Sequence, residues 1–86
     1  MSRDESYLLD ILLMARDARD FVKNMDKNAF LADRKSQYAV VRCLEVIGEA
    51  AKRISDDAHR RYPDIPWSAM ARMRDLLIHS YTIKSM

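Results

Sequence analysis

The sequence is poor in the residues that cross-link, bend or interrupt a chain. It has one cysteine (Cys43), one glycine (Gly48) and two prolines (Pro63, Pro66) in 86 residues. A single thiol excludes an internal disulfide framework and suits a reducing cytoplasm. One Cys and two His fall short of the usual zinc ligand sets, and no paired-acid motif recommends Mg²⁺, so no cofactor is expected. With so little Gly and Pro there is scant material for turns, which argues for few connections and long helices. No apolar run approaches the roughly 20 residues that a membrane-crossing helix needs, no signal-peptide core follows Met1, and no membrane contact is expected.

What the sequence does contain is 49% hydrophobic and 33% charged residues, a globular rather than a disordered composition. Its length suits one domain, residues 1–86, near the lower limit for a comfortable core. The net charge of +2 does not announce a nucleic-acid binder. Residues 52–86 nevertheless hold 7 Lys/Arg against 4 Asp/Glu, while 1–51 hold 8 against 9. That mild basic bias permits phosphate binding without demanding it.

Apolar periodicity sets out the helices. Leu8, Ile11, Ala15, Ala18, Val22 and Met25 share one face of a first helix from about Asp4 to Met25. Asn28 to Ala32 supplies a short helical turn that tucks in Phe30 and Leu31. A second long helix starts near Arg34 or Ser36, with Val40, Cys43/Leu44, Ile47, Ala51 and Ile54 as its stripe. Gly48 interrupts its middle at a cost of about 1 kcal/mol relative to Ala, which is explained if another helix approaches closely there. Ser55 to Asp57 bends or restarts the helix, and Pro63 forces Tyr62 out of helical geometry. Asp64 is the candidate cap of a third long helix from about Pro66 to Tyr81, with Ala69/Met70, Met73 and Leu76/Leu77 turned inward. The expected fold is all-α: an up-and-down bundle of three long helices plus a short one.

The chemistry is concentrated in Arg74-Asp-Leu-Leu-Ile-His-Ser-Tyr81. Arg74 and Tyr81, seven residues apart, share a helical face; Asp75 and His79, four apart, are neighbours, so the carboxylate can orient the imidazole. Arg74 and His79 are separated by about 140° on an ideal helix. They can meet one atom only if the helix loosens near His79 or if a symmetric dimer completes the site. Histidine can move a proton to or from a ribose hydroxyl near neutral pH, and arginine grips phosphate oxygens. The pair therefore suits RNA cleavage without a metal. Spacing alone equally fits a solvated face, with His79 as a surface or capping residue and Tyr81 as a packed aromatic with a wet hydroxyl. His59, beside Arg60 and Arg61, reads as plain basic surface.

These residues resemble the Arg–four residues–His–any–Tyr signature of the HEPN-domain ribonuclease toxins, and the HepT-like branch in particular. Phe30 to Ser55, with its Ile47-Gly-Glu-Ala50 core, is similar to that branch's second long helix, and Tyr62 to Tyr81 to its Ile-Pro-Trp segment and catalytic helix. The resemblance implies a homodimeric helical bundle in which both copies of Arg74 and His79 line one cleft. It implies metal-independent endoribonuclease activity on an RNA substrate, with Arg74 and His79 catalytic and Asp75 supporting. It also implies neutralisation by a partner nucleotidyltransferase of the MNT type, an antitoxin that adds AMP to Tyr81. Members of the branch usually continue past the tyrosine into a C-terminal helix. This sequence ends at Met86, so an apolar groove is expected where that helix would pack.

Two further functions fit the same residues. One is a catalytically weak interaction module that dimerises and binds the nucleotidyltransferase. The other is an RNA- or nucleotide-binding domain whose Arg74 contacts phosphate without cleaving.

Overall fold

The computed structural model describes residues 2–79. Five helices follow one another: α1 (Arg3–Phe21), α2 (Lys27–Ala32), α3 (Arg34–Arg53), α4 (Asp56–Arg61) and α5 (Trp67–Leu77). Each of the first four begins on a short polar side chain that accepts a backbone N–H otherwise left without a partner. Ser2 accepts from Glu5, Asp26 from Ala29, Asp33 from Lys35 and Ser36, and Ser55 from Ala58.

Helix α3 is the common partner of α1 and α5. The expected stripe accounts for its buried face: Cys43, Ile47, Ala51 and Ile54 are buried, joined by Val41 and Ala50. Ala51, Ile54, Ala58 and Trp67 form a cluster against which Tyr7, Leu8, Ile11, Ile65 and Met70 pack. Burial pushes the Cys43 thiol above its ordinary pKa, and the Asp17 charge adds to the shift. Among the described residues no helix is long and apolar enough to cross a membrane.

Several expectations change. The segment restarting at Ser55 is a second short helix, α4. Helix α1 ends at Phe21, where the Val22 N–H turns onto the Arg19 and Asp20 carbonyls, so Met25 lies in the following loop. Asp64 does not cap α5: Pro66 occupies the cap position without a side-chain bond, and the Trp67 N–H donates to the Ile65 carbonyl at 2.8 Å. Asp64 sits two residues too early to reach the first turn. Leu76 is 66% exposed rather than inward, because α3 covers only one side of α5. Leu31, expected to tuck in, is 60% exposed, while Gln37 Nε2 donates to the Phe30 and Leu31 carbonyls and ties α2 down through its backbone. Tyr62 leaves helical geometry before Pro63, as expected.

His59 is not plain basic surface. Its Nε2 lies 2.9 Å from the Ala51 carbonyl, which can only accept, and its ring stacks on Trp67 with centroids 4.9 Å apart. It therefore pins α4 between α3 and α5.

A second tie joins the starts of α1 and α4. The Asp4 carboxylate accepts from the Ser55 N–H at 2.9 Å and from Ser55 Oγ at 2.6 Å. These bonds hold the Asp4 carboxyl below the usual carboxylate range. A depressed folded-state pKa contributes stability that is complete above the ordinary carboxylate pKa and disappears as pH falls through the folded value. Asp4→Asn is accordingly expected to lower the melting temperature at pH 7. The gap from the parent protein should close in strongly acidic buffer, as thermal unfolding followed across pH will register; a gap constant with pH would refute the tie.

Candidate active site

Arg74 is positioned by what Gly48 lacks. A Cβ built at Gly48 would overlap Arg74 Cβ and come within 2.7 Å of the Met70 carbonyl oxygen. The glycine lets α5 approach α3 at this level, the close approach expected of the only glycine in the chain. The Arg74 stem thus rests directly on the α3 backbone, which limits where its guanidinium can go.

The guanidinium, with the side chain 29% exposed, is held from two sides. Nη2 lies 3.3 Å from Glu49 Oε2, and Nη1 donates to Asp75 Oδ1 at 2.9 Å. The other Glu49 oxygen accepts from Arg53 Nε at 2.7 Å. That bond, helped by the charges of Arg53, Arg74 and Lys52, holds the Glu49 carboxyl below its ordinary pKa. The guanidinium groups of Arg3 and, less strongly, Arg53 hold the Tyr7 hydroxyl below its ordinary pKa. The result is a line of alternating polar groups from α1 across α3 to α5.

These side chains border an open cleft of about 320 Å³. Its walls carry Arg42, Arg53 and Arg74 against Asp10, Glu45 and Glu49, with Val46 and Ile78 supplying apolar surface. Charge among these cleft residues is therefore balanced. Spacings of three and four along α3 put Arg42, Glu45, Glu49 and Arg53 on one stripe, the only sequence signal that could have found them. The apolar period of α3 leaves Glu49 off its stripe, and nothing in the sequence brings α1 to the site.

His79 is exposed and does not line this cleft, whereas Ile78 does. The winding widens to the π form at Ile78 and His79, and the Ile78 N–H bonds to both the Arg74 and Asp75 carbonyls. The winding thus loosens near His79, one of the two ways out that the 140° offset leaves open, but it does not bring His79 into this cleft; π turns recur at functional sites. Asp75 takes Arg74 as its ion-pair partner, since the neighbouring guanidinium folds back onto it. Tyr81 lies outside the described residues. Among the described residues no group of three or more His, Cys, Asp or Glu could hold a metal ion.

A helical bundle that carries an arginine wedged on a glycine, five residues before a histidine, has close counterparts. A family profile described as Ribonuclease HepT-like matches residues 11–83, and the chain belongs to that family. Two proteins of Methanocaldococcus jannaschii, each carrying the name "Putative RNase", are 50% and 49% identical to it over 88% and 90% of this chain. The "Probable ribonuclease HepT" of Thermococcus cleftensis is 48% identical over 90% of this chain and 70% of its own. The chain spans less than two thirds of the length of the two M. jannaschii relatives, 63% and 64%. No solved structure matches it at a significant level.

Proposed function

We propose that this chain is a metal-independent endoribonuclease, the toxin of a HEPN–MNT toxin–antitoxin pair, working as a cytoplasmic homodimer. The observation that carries the reading is Arg74, its guanidinium fixed at a cleft by Gly48 and Glu49 and followed five residues later by His79, in a chain of the HepT-like ribonuclease family. The chemistry needs two proton carriers and a phosphate grip, which two protomers supply. One imidazole takes the proton of a ribose 2′-hydroxyl, and its oxygen attacks the adjacent phosphorus. The other imidazole protonates the departing 5′-oxygen, while Arg74 holds the non-bridging oxygens as negative charge builds. The products are a 2′,3′-cyclic phosphate and a 5′-hydroxyl.

End-group analysis of RNA cut in the presence of EDTA tests this: those two ends, at undiminished rate, are expected. Loss of cutting on chelation, or 5′-phosphate products, would refute the mechanism. Sedimentation at micromolar concentration should give twice the 10.1 kDa chain mass, and a folded monomer that cleaves RNA would end the two-protomer scheme.

Tyr81 is proposed as the point of control by the nucleotidyltransferase. By its seven-residue spacing, which on an ideal helix returns to the Arg74 face, an AMP attached to it would place bulk and a phosphate where the substrate phosphate binds. Protein incubated with ATP and the cognate transferase is expected to gain an AMP mass on the Tyr81 peptide and to lose cleavage. Modified protein that still cuts RNA would remove the switch.

The balanced charge of the cleft favours a second reading, a catalytically weak module that dimerises and binds the nucleotidyltransferase. A folded dimer that forms this complex but leaves RNA uncut would establish it.

A further inference from the structure

We infer that Glu49 is the positioning residue for Arg74, and that Arg53, held on its other oxygen, extends that support. The inference rests on the reading of Arg74 as the phosphate-binding group. Among the described residues Glu49 is the one side chain that touches both arginines: Oε2 meets Arg74 Nη2 at 3.3 Å and Oε1 accepts from Arg53 Nε at 2.7 Å. With Asp75 on Nη1, two carboxylates grip separate arms of one guanidinium. That fixes its plane and, among the described residues, leaves its other N–H groups available to a phosphate. A free guanidinium on a rotamer-rich stem would have to be ordered at the moment of reaction. Here it is ordered beforehand.

The magnitudes separate positioning from stability. Glu49 and Arg74 side chains are 35% and 29% exposed, and pairs of this kind contribute little to folding. The cleft side of α3 therefore does not need the carboxylate to fold. The carboxylate is also the wrong charge to attract RNA, so removing it should favour substrate association while it frees Arg74. A kinetic split follows: kcat falls and KM does not rise.

The test compares the full chain with Glu49→Gln, Glu49→Ala and Arg74→Ala, measuring kcat and KM for RNA, thermal unfolding, and the Arg74 Nε–Hε signal in ¹⁵N NMR. Glu49→Gln, near-isosteric, keeps the test open if the alanine variant fails to fold. Both Glu49 variants are expected to lose about tenfold to a hundredfold in kcat, the scale of a misplaced catalytic group, with KM unchanged or lower. The Arg74 signal should shift and lose its separate environment, with unfolding little altered. Wild-type or higher kcat, a raised KM alone, or an unmoved Arg74 signal would overturn the positioning role. Arg74→Ala cleaving as well as wild type would instead overturn the underlying site, and the NMR readout stands without any activity.

Discussion

Gly48→Ala is expected to cost this protein far more activity than stability. In an isolated helix the change would help by about 1 kcal/mol. Here the new methyl overlaps Arg74 Cβ and crowds the Met70 carbonyl, both on α5. Neither neighbour is the free end of a flexible chain, so the whole helix must back away from α3. Overpacking of this kind costs about 1–3 kcal/mol, partly offset by the propensity gain of about 1 kcal/mol, so the melting temperature should fall by no more than about 8–16 °C in a domain of this size. Arg74 moves with its helix, and a displacement near 1 Å at a catalytic group costs on the order of a hundredfold. Initial rates of RNA cleavage beside thermal unfolding check the claim. A variant that is stabilised and fully active would mean that α3 and α5 are not in contact at Gly48.

Arg74→Ala should remove at least about a hundredfold to a thousandfold from kcat/KM, the scale of losing one preorganised donor to developing charge. The two ion pairs it breaks are partly exposed and worth about 0–1 kcal/mol each, so the fold should survive. Arg74→Lys separates charge from geometry: an ammonium keeps the charge but cannot hold Glu49 and Asp75 with separate arms while offering a fork to phosphate. It should recover only a small part of the loss. Full recovery by lysine would reduce Arg74 to a source of positive charge.

The helices were legible because their signals are local. The α3 stripe is periodic, Asp33 and Ser55 cap within three residues, and Pro63 acts on its neighbour Tyr62. Gly48 was legible too, since its cost in a helix calls for a reason and close packing is the simplest. Some failures were local, as at Asp64 and Met25; the others depended on partners distant in sequence. His59 looks exposed until Trp67 and the Ala51 carbonyl arrive from other helices. Leu76 looks inward until, among the described residues, α5 is found to pack chiefly against α3 and to leave Leu76 outside that contact. In the site, the offset of Arg74 and His79 leaves a change of winding or a second protomer as alternatives; the winding does change at Ile78 and His79, without bringing His79 to the cleft. Glu49, Arg53 and Tyr7 stayed hidden because only tertiary packing brings three helices to one cleft.

The claim that Arg74 and His79 cut RNA without a metal is tested most directly by one side-by-side assay. Purified wild type and His79→Ala, matched for helicity and oligomeric state, are given the same RNA in EDTA. Cleavage by the wild type and at least about a hundredfold less by the variant, the scale of a lost general acid–base, is the expected result. Equal cleavage by both, or none by the folded wild type until a divalent ion is restored, would contradict it.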